Sequence, residues 1–342
     1  MTTMTAMIDA PPAPRFLRFA KRAALVTVGI AALLATGFIG WGALARHSLA
    51  DAHPPPGQLV DVGGYRLHLD CEGEGTGPTV ILDAGNADFS VMWSKVQPEL
   101  AASARVCAYD RAGLGWSERG TAPRTLDAMT GELARLLDGA GIEGRLVLVG
   151  HSFGGIVARS FAAAYPERVA GLVLVDPAHE RQLEASPTMR ASVEAGAAQF
   201  EALAPLASWN LLAMLPGNIP NRGLPDGAQG DYAAVLATTG YFSAAADETR
   251  MLPANLAAMA ALPHDLGDLP LTVVSRGRVD GPPGATLEDL AELEQAWGEL
   301  QVDIAGLSSD ARHVVAEDAG HYVQLERPDL VVSAVEAMLG RV

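Results

Sequence analysis

The chain has almost no cysteine: two residues, Cys71 and Cys107, among 342. Neither thiol adjoins a second one or a metal-spaced histidine cluster, so no metal site is expected. Charge is also sparse, at 19% of residues, and positive charge is scarcer still, with 24 Lys and Arg against 40 Asp and Glu. A formal net of -16 repels a phosphate backbone and argues against a nucleic-acid partner. No repeat of fixed period, heptad run or basic stripe occurs, so a solenoid or a docking array has no support. What the chain does have is 49% hydrophobic residues, enough for one large core with room for a helical insert.

The longest apolar run lies at the start. Residues 23–45, AALVTVGIAALLATGFIGWGALA, carry no charge, and about 20 apolar residues suffice for a helix to cross a bilayer. Arg15, Arg18, Lys21 and Arg22 precede the run, while Arg46 alone follows it. Residues 1–45 carry a net of +3 and the remainder a net of -19. The positive-inside rule then gives a basic cytoplasmic N-terminus at 1–22, a signal-anchor at 23–45 and an extracytoplasmic main domain. Trp41 falls near the outer interface, where an aromatic is expected. A cleaved signal peptide is the rival reading, because Ala43-Leu44-Ala45 has the small-x-small form of a cleavage site. Its apolar core is usually only about 7–15 residues. Both readings export the domain, tethered in one and secreted in the other. Residues 46–57 read as a linker that Pro54-Pro55-Pro56 keeps extended.

Beyond the linker, Gln58–Val62 and Tyr65–Cys71 read as a hairpin turning at Gly63-Gly64. Then come short, continuous apolar runs: Thr79–Asp83, Arg105–Asp110, Arg145–Val149, Gly171–Asp176 and Leu271–Ser275, with a last strand at His313–Ala316. Such runs suit strands buried on both faces of a parallel sheet. Helical patterns at Thr125–Leu137, Phe153–Ala164 and Leu287–Leu300, and one starting near Pro328, alternate with them. The expected fold is α/β, a mostly parallel eight-stranded sheet with helices on both faces. The interval from Asp176 to Leu271 has no clear strand and is too long for a loop. It reads as a helical lid over 180–265, splitting the core into 58–179 and 266–342. Its Phe200, Trp209, Met214, Tyr232, Tyr241, Phe242 and Met251 either line a pocket or pack the lid down.

Gly150-His151-Ser152-Phe153-Gly154-Gly155 follows the buried strand RLVLV and opens a helix, which is G-x-S-x-G in its strand-to-helix setting. Ser152 sits on the tight turn as nucleophile. The glycines Gly150 and Gly154 give the clearance, and the Phe153 N–H at the helix start faces a developing oxyanion. Here the sequence resembles the α/β-hydrolase superfamily over roughly residues 58–342. Tyr109-Asp110-Arg111-Ala112-Gly113-Leu114-Gly115-Trp116-Ser117 looks like the family's loop after its fourth strand. Asp83-Ala84-Gly85-Asn86 stands where the family has its His-Gly oxyanion loop, with Ala84 in place of the usual His. The resemblance implies that the Asn86 N–H is the second oxyanion donor. The family's strand order also sets Cys71 and Cys107 on neighbouring strands, where an exported domain can bridge them.

Of eight histidines, His47 and His53 lie in the linker, His68 in the hairpin, and His151 beside the nucleophile with its side chain expected along the elbow. His321, just past the last strand, fits the late histidine of the order Ser…acid…His and reads as general base. Two acids compete. Asp176 ends the sixth strand, and Asp280 follows the seventh in Gly277-Arg278-Val279-Asp280; Asp176 is preferred. The expected activity is cleavage of a small-molecule carboxylic ester, with thioester or amide as variants, through an acyl-enzyme and without a cofactor. The alternatives are a ligand-binding relative that has lost its chemistry, and a cofactor-free haloperoxidase or lyase. The family's dehalogenases and epoxide hydrolases use an Asp nucleophile, so Ser152 argues against both.

Overall fold

The structure is a computed structural model that describes residues 15–278 and 285–342. Eight strands form one sheet: β1 (Gln58–Asp61), β2 (Arg66–Glu72), β3 (Thr79–Asp83), β4 (Val106–Tyr109), β5 (Leu146–His151), β6 (Val169–Val175), β7 (Leu271–Arg276) and β8 (Ala311–Ala316). Their order is β1-β2-β4-β3-β5-β6-β7-β8. The pairs β1–β2 and β2–β4 are antiparallel, and every other neighbouring pair is parallel.

Strands β3 to β7 are buried along their whole length, as continuous aliphatic runs require. The side-chain period of two divides each strand between two layers. Leu146 and Leu148 of β5 pack with Leu133, Leu137 and Phe161 on one face. Val147 and Val149 pack with Trp93, Leu100, Val335 and Met338 on the other. Each such side chain contributes roughly 1.5–3 kcal/mol by leaving water. The covering helices start where polar caps allow. The Thr125 hydroxyl accepts from Ala128 N–H at the head of Leu126–Gly139, and Thr286 and Asp289 form a capping box at the head of Leu287–Ala305.

From β3 the chain moves outward to β4, then returns to the other side of β3 as β5. Connections therefore diverge at the carboxyl ends of β3 and β5, the place where open α/β sheets form their binding crevice. Between β6 and β7 lie helices Gln182–Ala185, Pro187–Ser208, Leu211–Met214, Asp226–Leu236 and Tyr241–Ala260. Tyr232, Tyr241 and Phe242 are buried with Phe89, Val91, Met92 and Leu114, so they fasten these helices to the sheet. Trp209 instead points outward and is 68% exposed. Cys71 and Cys107 face each other on antiparallel β2 and β4 and are joined by a disulfide.

The N-terminal helix differs from expectation at its end. It runs unbroken from Arg15 to Ala52, so residues 46–52 are helix where a linker was expected. Loss of apolarity at Arg46 does not stop a helix; the backbone breaker is Pro54-Pro55-Pro56, further on. An ion pair of His47 with Asp51 at 3.4 Å supports the extra turns. The stretch Phe19–Ala52 is long and apolar enough to cross a membrane, and its most apolar window is wholly unburied.

Candidate active site

Ser152 sits at the junction of β5 and the Phe153–Ala164 helix with φ 50° and ψ -118°. A side chain rarely adopts that region, and the surrounding hydrogen bonds hold it there. Ser152 N–H donates to Val175 O at 3.0 Å, and Ser152 O accepts from Gly155 N–H at 3.0 Å and Ala178 N–H at 2.9 Å. A Cβ on Gly150 would lie 2.5 Å from Gly154 O, and one on Gly154 would strike the Asp83 carbonyl. The two glycines are what let the elbow close against β3.

His321 and Asp176 converge on this serine from positions 169 and 145 residues apart in sequence from their partners. His321 Nε2 lies 3.1 Å from Ser152 Oγ, and His321 Nδ1 lies 2.6 Å from Asp176 Oδ2. The carboxylate can only accept, so the proton resides on Nδ1 and Nε2 presents its lone pair to the serine. Asp176 is fully buried. Its Oδ1 also accepts from Trp297 Nε1 at 2.8 Å and Arg276 N–H at 3.1 Å, and Arg276 Nη1 lies 3.4 Å from Oδ2. Burial pushes this carboxyl up, but the His321 hydrogen bond and charge, with Arg276 and Trp297, outweigh it and hold it below the ordinary carboxylate value. Asp280, the other acid candidate, lies outside the described residues.

The loop after β3 is held by a residue to which no role was given from sequence. Arg111 is buried, and its Nη1 donates to Asp83 Oδ1 at 2.6 Å and Ala84 O at 2.7 Å. Its Nη2 donates to Gly85 O at 2.5 Å, and Nε and Nη2 clasp Glu248 of the Tyr241–Ala260 helix at 2.8 and 2.7 Å. Glu248 in turn accepts the Ala87 N–H at 2.8 Å. A trans peptide points its N–H opposite to its carbonyl. With Gly85 O turned onto Arg111, the Asn86 N–H faces away from the guanidinium. The Asn86 side chain is tied elsewhere, donating to Thr249 Oγ1 at 2.7 Å. Among the described residues, neither Asn86 N–H nor Phe153 N–H is paired with an acceptor. Burial, reinforced by the neighbouring Glu248 charge, raises the Asp83 carboxyl to about 6 against the pull of Arg111.

His151 does not run along the elbow. Its ring is fully buried, and Nε2 lies 2.9 Å from the backbone oxygen of His321, so it donates there and pins the loop that carries His321. Burial, then the nearby His321 charge, lowers its pKa to about 3 and keeps it neutral. A third layer is contributed by a loop in the segment between β6 and β7. Arg222 Nη1 reaches Asp88 Oδ1 at 3.2 Å and also meets the Tyr322 hydroxyl, which donates to Asp88 Oδ2 at 3.1 Å. Among the described residues, no group of three or more His, Cys, Asp or Glu side chains is arranged to hold a metal ion.

Comparison with known proteins gives a consistent family. The sequence profile of the alpha/beta hydrolase fold matches residues 78–266, more than half of the chain. An AB hydrolase superfamily protein of Gibberella zeae is 28% identical over 297 residues, covering 77% of this chain and 86% of its own. A thermophilic esterase from Thermogutta terrifontis, solved with malate bound, superposes with a TM-score of 0.56 at 25% identity, covering 83% of this chain and 99% of the esterase. The epoxide hydrolase CorEH shares the fold with a TM-score of 0.61 at 18% identity, over 83% of this chain and 98% of its own. With its eight-stranded, mostly parallel sheet and its profile match, this chain belongs to the α/β-hydrolase family.

Proposed function

We propose that this chain is a membrane-tethered serine hydrolase that cleaves a carboxylic ester through an acyl-enzyme on Ser152. The observation that carries the reading is the continuous contact Ser152 Oγ–His321 Nε2–His321 Nδ1–Asp176 Oδ2, at 3.1 and 2.6 Å. His321 Nε2 takes the Ser152 proton as Oγ attacks the ester carbonyl, and Asp176 stabilises the imidazolium that forms. The tetrahedral oxyanion is met by the N–H groups of Phe153 and Asn86. His321 then protonates the departing alkoxide, and water, activated by the same nitrogen, releases the acid. The likeness to the Thermogutta esterase supports ester chemistry. The family's epoxide hydrolases attack with Asp, where this chain has Ser152.

The tether is the Phe19–Ala52 helix, with the basic residues 15–22 cytoplasmic and the catalytic domain outside. Two observations support this arrangement. The Cys71–Cys107 bridge suits an oxidising compartment. Ala43-Leu44-Ala45 is wound into a continuous helix, two turns before its end, rather than held extended for a peptidase, which favours the uncleaved form over the secreted one.

The experiment is hydrolysis of p-nitrophenyl esters of increasing acyl length by the purified full chain in lipid nanodiscs. Turnover is expected from the wild type and none above background from Ser152→Ala. Equal turnover by both would refute the acyl-enzyme. A folded wild type that binds but cleaves no ester would shift the reading to a ligand-binding relative.

A further inference from the structure

The helices between β6 and β7 carry a surface that the ester-hydrolase reading does not use. From Ala202 to Asn221 the chain has no Asp, Glu, Lys, Arg or His, in a protein with 19% charged residues. This segment exposes large apolar side chains: Leu206 at 37%, Trp209 at 68% and Leu215 at 57%. On its inner side, Ala207 and Ile219 are buried with Leu224, Tyr232 and Tyr241 in the layer that fastens these helices over the sheet. Arg222, next after the uncharged stretch, reaches inward to Asp88 and Tyr322, beside His321. One face of the segment therefore packs into the apolar layer over the sheet, and the other is uncharged and bare.

Where that bare face points is set by the N-terminal helix. At about 1.5 Å per residue the 34 residues of Phe19–Ala52 extend some 50 Å, whereas a bilayer core is about 30 Å thick. The last turns must stand at or beyond the interface, and it is these turns that dock. Gly42 is buried, and a Cβ there would lie 3.0 Å from Asn210 Cβ and 3.4 Å from Met214 Sδ. Ala45 and Leu49 follow on the same helix face and are half-buried. Below them, His53 Nδ1 bonds Asp231 Oδ1 at 2.9 Å with its ring laid against Gly230. Asn210 thus touches the final apolar turn of the membrane helix. Trp209 is its immediate neighbour in the chain, and Leu206 and Leu215 lie within five residues of it. Trp41, next to Gly42, is 59% exposed at the same level. Two bare tryptophans beside the end of a membrane helix match the aromatic belt of a bilayer interface. An exposed apolar patch continuous with a membrane helix has one natural cover, the lipid itself.

We infer that residues 202–221 form the membrane-inserted face of a lid, and that Ser152 draws its substrate from the bilayer. The substrate class is then an ester with a long apolar acyl or alkyl chain, resident in the outer leaflet. The substrate half of this inference rests on the serine-hydrolase reading, and the placement of the lid rests on the membrane-tether reading of the N-terminal helix.

Two measurements on the full chain separate these parts. In nanodiscs containing lipids brominated near the headgroup, tryptophan fluorescence is compared for wild type, Trp209→Phe and Trp41→Phe. The quenched amplitude is expected to fall in Trp209→Phe by about as much as in Trp41→Phe. No change in Trp209→Phe would put the face in water and overturn the inference. In the second measurement, Leu206→Asp/Leu215→Asp is assayed on p-nitrophenyl palmitate in vesicles and on water-soluble p-nitrophenyl acetate. The ratio of the two turnover rates is expected to fall tenfold or more relative to wild type. An unchanged ratio would refute delivery from the bilayer. If the wild type hydrolyses neither ester, the hydrolase reading and the substrate half fall together, while the quenching still decides where the lid lies.

Discussion

Replacing Asp176 by Asn tests the polarity of the site at one atom. The Oδ1 of Asp176 accepts from two fixed donors, Trp297 Nε1 at 2.8 Å and Arg276 N–H at 3.1 Å. An Asn must keep its oxygen there, because an NH2 group would face two N–H groups inside a sealed site. Its NH2 therefore occupies the Oδ2 position, opposite His321 Nδ1. A donor at that place forces Nδ1 to accept and moves the imidazole proton to Nε2, the nitrogen 3.1 Å from Ser152 Oγ. The base then has no lone pair for the serine proton. The same tautomer error in a serine protease triad costs about 10⁴ in kcat, or about 5.5 kcal/mol of barrier. The assay is steady-state hydrolysis of p-nitrophenyl acetate by Asp176→Asn, with Asp280→Asn in parallel. A fall of 10³ or more in kcat with KM nearly unchanged is expected for Asp176→Asn alone. Asp176→Asn within tenfold of wild type, together with a fall of 10³ or more in Asp280→Asn, would refute the argument and give the acid role to Asp280.

Other expectations follow from the supporting residues. Arg111→Lys cannot serve Asp83, Glu248 and the two loop carbonyls together, and leaving buried carboxylates underpaired costs about 3–5 kcal/mol; a loss under about 1 kcal/mol in thermal unfolding would show that the loop holds without it. Cys71→Ala/Cys107→Ala opens a crosslink spanning 36 residues, and chain entropy gives a loss of about 4 kcal/mol; an unchanged unfolding temperature in the non-reducing assay would count against the bridge. His151, held at about 3 by burial and the His321 charge, stays unprotonated where an unfolded imidazole, with a pKa of about 6.5, takes a proton. More protons on the unfolded chain mean that stability falls as pH drops from about 6.5 towards 3. His151→Asn should flatten that fall by an amount on the order of a few kcal/mol, and a pH-stability curve parallel to wild type would contradict it.

The parts of the molecule that were legible in the sequence are those with local causes. Strands such as Leu146–His151 announce themselves by continuous apolar runs, and the elbow by glycines whose absence of a Cβ the turn needs within four residues. His321 was chosen by its order in the chain, and its Nε2 lies 3.1 Å from Ser152 Oγ. Arg111 was not assigned, because its partners Asp83 and Glu248 lie 28 and 137 residues away and nothing near it signals them. The choice between Asp176 and Asp280 stayed open for the same reason, since both follow strand ends and only packing shows which acid meets His321. His151 was misdirected by its neighbour: adjacency to Ser152 says nothing of which way a buried ring turns. The linker was started too early because apolarity falls away at Arg46, whereas the helix continues until it nears the breaker Pro54.

The most direct test of the account is labelling of the full chain with a fluorophosphonate, followed by mass spectrometry of its peptides. An activated serine reacts; an ordinary hydroxyl does not. The account predicts a single adduct on Ser152, absent from Ser152→Ala and strongly reduced in His321→Ala. A folded wild type that takes up no label, or that is labelled on a serine other than Ser152, would contradict it.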